Sequence, residues 1–251
     1  MAGAALPRRL TWQRGTVVNI VEETPRAKSI FFAVPGWPGH LPGQHIDLRL
    51  TAEDGYQVER SYSIASPPEV ERLVITVDPV PNGEVSTFLT EELRAGDQVE
   101  LRGPIGGYFT WSVESGGPLL LVAGGSGVVP LMAMIRHGSA RGSSVPMRLL
   151  YSSRSFADII YRDELAHLAS TTPTLDVIHT LTRVQPAGWT GYRRRIDRQM
   201  LAEVAWPLAA GPRIFVCGPT RLVETVATEL QALGHDPARI KTERFGPSGG
   251  S

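Results

Sequence analysis

The chain has one cysteine, Cys217, and only two lysines, Lys28 and Lys241, among 251 residues. A lone thiol excludes an intrachain disulfide framework, a cysteine-based zinc site and a self-contained iron–sulfur cluster, which needs four protein ligands. No metal site is therefore expected. No run of 18 apolar residues occurs, so no membrane span is predicted. The opening MAGAALPRRL has too short an apolar stretch before its two arginines to be a signal peptide. The expected location is the cytoplasm. Net charge is also missing, with 25 basic residues against 25 acidic ones. A nucleic-acid binder would show a basic excess with interleaved aromatics, so nucleic acid is not an expected partner. With lysine this scarce, nearly all positive charge is arginine, the residue suited to bidentate phosphate and carboxylate contacts.

The remaining composition, 42% hydrophobic and 20% charged, is that of a globular chain long enough for one large or two ordinary domains. The neutral balance is uneven along its length. Up to Ser115 there are 10 basic and 15 acidic residues; from Gly116 onward there are 15 and 10. The positive second half suits a small polyanionic ligand.

The first half reads as short strands at Thr16–Val21, Ser29–Val34, His45–Leu50, Arg60–Ala65, Leu73–Asp78 and Gln98–Arg102, with one helix at Val85–Leu93. Turn signals such as Pro35-Gly36, Asp54-Gly55 and Asn82-Gly83 separate them, which predicts an antiparallel six-stranded β-barrel. After a linker at Ser115-Gly116-Gly117-Pro118 the rhythm changes. Apolar strands beginning at Leu119, Met147, Leu175 and Arg213, with a short last one near Ile240, alternate with helical patterns. This predicts an α/β domain with a doubly wound parallel sheet covered on both faces. The expected domains are residues 10–114 and 115–251.

Leu119–Pro130 reads LLLVAGGSGVVP, a buried strand, a glycine-rich turn and a helix start. Glycines let backbone approach a phosphate, and a helix N-terminus supplies free N–H groups. The spacing Gly125-x-Gly127-x-x-Pro130 replaces the third glycine of the dinucleotide fingerprint with proline. A tight strand-to-helix turn would read the same way. No Gly-Lys-Ser/Thr occurs, which excludes a P-loop, and Val128 stands where a nucleophile elbow around Ser126 needs glycine.

At the end of the next strand, Ser153 and Arg154, with Arg162 further on, offer hydroxyl and guanidinium donors where an NAD-selective site would place an acid. They lean toward the 2′-phosphate of NADPH. The alternative is a solvated arginine, and for Arg162 a helix pair with Asp158. Phe215–Thr220 ends a strand at Cys217, then turns through Gly218 and Pro219 into a helix; by itself Cys217 reads equally as a small buried hydrophobe. In the first half Arg60-Ser61-Tyr62-Ser63 places a cation and an aromatic on one strand face. Asn82–Ser86 is a turn into a helix, and Gly103–Phe109 a glycine-rich loop ending in aromatics.

In order, RSYS at Arg60–Ser63, NGEVS at Asn82–Ser86, GPIGGYF at Gly103–Phe109, AGGSGVVP at Ala123–Pro130, YSSRS at Tyr151–Ser155 and VCGP at Val216–Pro219 resemble the ferredoxin–NADP reductase superfamily. The nearest resemblance is to FAD-binding reductase components that serve oxygenases and cytochromes P450. It implies a flavin-dependent oxidoreductase that moves hydride from NAD(P)H to FAD and passes electrons to a separate ferredoxin or haem protein. Arg60 would hold the flavin pyrophosphate, Tyr62 stack on the isoalloxazine and Ser63 sit near flavin N5. Gly83, Val85 and Ser86 would bind flavin phosphate. Gly125, Ser126, Gly127 and Pro130 would face the NAD(P)H pyrophosphate, with Cys217, Gly218 and Pro219 lining the nicotinamide pocket. Glu243 and Phe245 match the region where relatives bring an acid and an aromatic to the flavin. His45, after Pro42-Gly43-Gln44, reads as a strand residue. The plant-type [2Fe–2S] domain of many oxygenase reductases has no place in a chain with one cysteine. Two further readings stand: an electron-transfer subunit active only within a larger complex, and a flavin-free nucleotide-binding module.

Overall fold

The computed structural model describes residues 10–245. Strands β1 (Gln13–Glu22), β2 (Lys28–Ala33), β3 (His45–Thr51), β4 (Gln57–Ser63), β5 (Leu73–Val77) and β6 (Gln98–Ile105) pair antiparallel in the order β4-β3-β6-β1-β2-β5. A bridge from Ile64 to Ile75, with the Ala65 N–H donating to the Val74 carbonyl at 2.7 Å, joins the two ends of that order and closes the barrel. Alternation does the sorting. On β3, Ile46 and Leu48 point into the barrel core with Val17, Ile30, Phe32, Ile75 and Leu101. Between them Asp47 and Arg49 point out, to pair with Arg102 at 2.7 Å and Glu100 at 3.0 Å.

The helix expected at Val85–Leu93 is instead a short α1 (Glu84–Thr87) that widens into a π-helical turn at Phe88–Glu92. Val85, Leu89 and Leu93, four apart, all enter the barrel core. A 3.6-residue turn carries every fourth residue progressively off one face, and the wider turn brings Leu93 back onto it. The Leu93 N–H donates to the Phe88 carbonyl at 3.0 Å.

The C-terminal half holds β7 (Leu119–Gly124), β8 (Met147–Ser153), β9 (Leu175–Leu181), β10 (Arg213–Pro219) and β11 (Ile240–Phe245), all parallel in the order β11-β10-β7-β8-β9. Helices α2 (Val128–Ala140) and α3 (Arg162–Thr171) cover one face; α4 (Arg198–Val204) and α5 (Thr220–Ala232) cover the other. The chain starts in the middle, so the strand order reverses between β7 and β10. No helix among the described residues is long and apolar enough to cross a membrane.

Helix α2 is unlike the other three. In α5 only Val223, Val226 and Leu230 are buried, a single stripe. In α2 every residue from Val128 to Ile135 is buried. One side packs on Leu121, Ala123 and Leu149 of the sheet; the same cluster contains Ala65, Val74, Phe109 and Trp111 of the barrel half. Polar clasps finish the contact. Arg136 donates twice to Glu164, at 2.8 and 2.6 Å, and once to the Ala65 carbonyl at 2.8 Å, with its guanidinium 4.6 Å above the Tyr161 ring. Tyr161 in turn hydrogen-bonds Thr76 of the barrel. Next along the helix, His137 donates from Nδ1 to Glu69 at 2.7 Å and accepts the Val113 N–H on Nε2 at 3.3 Å.

Arg136→Met should lower unfolding stability by about 2 kcal/mol, because Glu164 and the Ala65 carbonyl lose a largely buried partner. Arg141→Met, at an exposed pair, should cost less than about 0.5 kcal/mol. Urea unfolding of both variants checks the contrast, and equal losses would overturn it.

Candidate active site

Parallel pairing puts the ends of β7 and β10 side by side, at the point where open α/β sheets form their ligand crevice. The two turns touch through backbone. A Cβ on Gly127 would stand 2.2 Å from the Cys217 carbonyl oxygen, so only glycine lets the turn pass this close. Gly125 has φ +54° and open space around it, and Ser126 is half-buried beside it. Pro130 is the third residue of α2, where its missing N–H breaks no helical bond, and its ring is buried in the packed helix. On the β10 side Gly218 presses its α-carbon toward Gly124, and Pro219 is exposed.

Cys217 is 1% exposed and lies in register between Ala123 and Glu243. Burial, helped by the Glu243 charge, pushes its thiol well above the usual range, so it stays neutral. Burial also raises the Glu243 carboxyl, partly offset by a hydrogen bond from the Ser63 hydroxyl. Ser63 comes from the last position of β4, so the barrel meets the sheet at its β10–β11 end. Phe245 ends β11 opposite Pro219 and is exposed.

One residue before Ser63, Tyr62 lies half-buried against the barrel core; burial pushes its phenol up to about 12, with Arg60 pulling the other way. Arg60 shares that face of β4 and is exposed, its guanidinium donating, among the described residues, only to the neighbouring Glu59 carbonyl, at 2.7 Å. Helix α1 lies against β4. The Ser86 hydroxyl donates to the Gly83 carbonyl at 3.1 Å and accepts the Val80 N–H at 3.2 Å, and a Cβ on Gly83 would be 2.4 Å from it. Val85 is buried in the barrel core. Its backbone N–H, with those of its neighbours in the first turn, has no partner within the helix.

At the end of β8, Ser153 is buried and Arg154 exposed. Arg162 does not pair with Asp158. It donates to Asp163 at 2.9 Å and lies 4.9 Å above the Phe156 ring, while Asp158 accepts from the Ser155 hydroxyl at 2.6 Å. Asp158 is held by its own turn, so the helical spacing alone misassigned the pair. Sequence reasoning also missed Asp78. Burial raises its carboxyl, while Arg26 at 3.5 Å and Arg154 lower it. It is a barrel carboxylate within electrostatic reach of an arginine of the other half, a long-range relation that no local spacing signals.

The donor set fits a flat aromatic group with an anionic tail. Tyr62 offers a neutral ring, Arg60 an exposed cation, and two glycine turns leave backbone accessible where a Cβ would block it. Among the described residues no group of three His, Cys, Asp or Glu could hold a metal ion.

Two oxidoreductase family models match the chain. Residues 26–110 match the oxidoreductase FAD-binding domain family, and residues 121–228 the oxidoreductase NAD-binding domain family. A reductase component of the naphthalene 1,2-dioxygenase/salicylate 5-hydroxylase systems of Ralstonia is 30% identical over 94% of this chain and 70% of its own length. The chain belongs to the ferredoxin–NADP reductase family. The glycine betaine monooxygenase reductase subunit of Pseudomonas aeruginosa is 34% identical over 95% of this chain. The chain spans 66% of that relative's length, just under two thirds. Among solved structures, a cytochrome P450 reductase from Amycolatopsis has a TM-score of 0.83 at 26% identity, covering 98% of this chain and 73% of that one. The FAD/NAD-binding domain of a Vibrio cholerae nitric oxide dioxygenase, at 24% identity and a TM-score of 0.83 over 94% and 99% of the chains, shares the fold.

A carboxyl raised by folding stabilises the protein fully below the ordinary carboxylate range, and that contribution is lost as pH rises through the raised value. Glu243→Gln, which keeps the Ser63 hydrogen bond without a charge, should therefore gain melting temperature over the parent between pH 4 and 7. A parent that keeps its lead at pH 7 would refute the burial of that charge.

Proposed function

We propose that the chain is an FAD-dependent NAD(P)H oxidoreductase that hands its electrons to a separate one-electron acceptor protein, such as a ferredoxin or a haem protein. The convergence of Ser63, Glu243 and Cys217 from the two halves carries this reading: it sets a hydroxyl, a carboxyl raised by burial and a buried thiol between a flavin-type donor set and a nucleotide-type turn. Bound FAD supplies the chemistry, taking a hydride from the nicotinamide and releasing electrons one at a time.

The chain supplies position and charge. Tyr62 stacks on the isoalloxazine, and Ser63 presents its hydroxyl near flavin N5. Arg60 clamps the pyrophosphate, with N–H groups from Gly83 to Ser86 beside it; the Ser86 hydroxyl mainly holds that turn in shape. Gly125, Ser126 and Gly127 with the N-terminus of α2 receive the NAD(P)H pyrophosphate, and Pro130 seats the helix. Cys217, Gly218 and Pro219 wall the nicotinamide. A neutral thiol fits that task, because a thiolate would set a negative charge beside the reacting ring. Phe245, at the end of β11, closes the flavin side, and Glu243, its carboxyl raised by burial, lies next to Ser63.

Arg154 and Arg162 lean the nucleotide choice toward NADPH, with Ser153 as the strand end that orients them. Asp78 and Asp163 already balance part of that charge, so the lean rests on Arg154, the more exposed of the two. The names of the relatives, a monooxygenase reductase subunit and a dioxygenase reductase component, support a protein acceptor. The same names leave room for a second reading, a subunit that turns over only within a larger complex.

Purified with FAD, the chain should be yellow and should bleach anaerobically on addition of NADPH or NADH. A chain that stays colourless after reconstitution would sink the proposal, and steady reduction of ferricyanide by the isolated chain would exclude the complex-bound reading. Arg154→Ala should raise the KM for NADPH about tenfold, the worth of one charge-assisted hydrogen bond, and that for NADH far less. Equal effects on the two nucleotides would remove the lean.

A further inference from the structure

Strand β5 shows its two faces to two different cores. Leu73, Ile75 and Val77 point into the barrel, while Val74 between them lies in the cluster that holds Ile159, Ile160 and Tyr161 of the other half. Thr76 continues that outer face. Its hydroxyl hydrogen-bonds the Tyr161 phenol across the two halves, and it lies 2.7 Å from the hydroxyl of Ser29, its partner in register on β2. Ser29 donates in turn to the Glu23 carboxylate at 2.5 Å. Each hydroxyl has one proton, so the carboxylate at the end sets the direction of the line: Tyr161 to Thr76, Thr76 to Ser29, Ser29 to Glu23. All three hydroxyl residues are buried.

The Tyr161 backbone needs that hold. It stands at φ 60° and ψ 27°, and Asn82 is the only other non-glycine at positive φ among the described residues. Asparagine visits this left-handed region readily; a bulky aromatic does not, and it stays there only where its surroundings overdetermine it. Three things do so here. The residue is 2% exposed, the Arg136 guanidinium lies 4.6 Å above its ring, and its phenol is bonded to Thr76. Tyr161 closes the turn that leaves β8. The start of that turn is fixed inside its own half, where the Arg154 carbonyl accepts the Arg183 N–H at 2.9 Å. Its end is fixed by the barrel. Just past that end comes Arg162, its guanidinium over the ring of Phe156 in the same turn.

We propose that Tyr161 is a positioning residue for nucleotide binding: through its bond to Thr76 the barrel holds the 155–161 turn in the shape that presents Arg162 and Phe156 to the nucleotide. This rests on the nucleotide reading of Arg154 and Arg162 given above. With the bond gone, the left-handed backbone loses one of its three supports and the turn spends most of its time in other shapes. A ligand that needs the held shape then binds more weakly, in proportion to the fraction of time that shape is present. The reacting end of the nucleotide is read at β10, on the other side of β7 from this turn, so the step after binding keeps its rate.

The test uses the whole FAD-loaded chain, with 2′,5′-ADP and 5′-AMP as calorimetric probes of the adenosine end. Tyr161→Phe keeps the ring and its Arg136 contact and loses only the hydroxyl. It should weaken whichever probe the parent binds by about five- to tenfold and raise the KM of the matching nucleotide as much, with kcat within about twofold of the parent. Thr76→Val should do the same, and the double variant should be no weaker than Thr76→Val alone, because all three lose one and the same bond. Thr76→Ser, which keeps the oxygen, should bind like the parent. A second readout needs no ligand. Hydrogen exchange at the Ile159 and Ile160 amides should speed up in Tyr161→Phe and Thr76→Val but not in Thr76→Ser, with the β7 amides unchanged. Parental affinity in Tyr161→Phe and Thr76→Val, a Thr76→Ser variant as weak as Thr76→Val, a loss shared equally by kcat, or unchanged exchange at Ile159 and Ile160 would overturn the proposal. A parent that binds neither probe would instead overturn the nucleotide reading, while hydrogen exchange still decides whether the Thr76 bond holds the turn.

Discussion

The packing of α2 between the sheet and the barrel is the constraint on which everything else depends. A helix that covers one face of a sheet ordinarily shows water its other side, and α5 does so. Helix α2 is apolar all round because it lies between two cores. Its first turn follows the glycine-rich loop, and its last carries Arg136 and His137 into the barrel half. One rigid element therefore sets both where the loop's N–H groups point and how far Ser63 lies from Cys217 and Glu243. Close-packed interiors transmit such positions with little play.

Electrostatics follow from that closure. Where the halves meet lie a thiol and a carboxyl, with the Tyr62 phenol, next to Ser63 in sequence, against the barrel core, and burial pushes all three toward their neutral forms. Charge is kept at the margins, in Arg60 at the barrel edge and Arg154 at the end of β8. A low-dielectric centre flanked by fixed cations suits a reaction in which an uncharged ring receives a hydride while anionic tails are held on either side. The charge balance of the two halves, acidic in the barrel and basic in the sheet, matches this division. It also acts locally, since Arg154 of the second half lowers the carboxyl of Asp78 in the first.

Much of this was legible in the residues. Period-two alternation marked the barrel strands, continuous apolar runs marked the parallel ones, and each chemical motif sat where such a run stopped. The readings that changed are those that needed a neighbour distant in the chain. The helix after Gly83 widened into a π-helical turn because the barrel core, not the helix, decided which residues had to point inward. Arg162 took Asp163 and Phe156 in place of Asp158, whose carboxylate was already held by Ser155.

The sequence by itself determined the kinds of element, their order and the chemistry available at each strand end, because those follow from local periodicity and from what each side chain can donate or accept. Tertiary structure alone decided which of those ends meet. Ser63 is separated from Cys217 and Glu243 by most of the chain, and their meeting depends on the strand order that sets β10 between β7 and β11, and on the helix that holds that sheet against the barrel. Non-local pairing of that kind leaves no periodic trace in the chain, since it is fixed by which buried surfaces fit together.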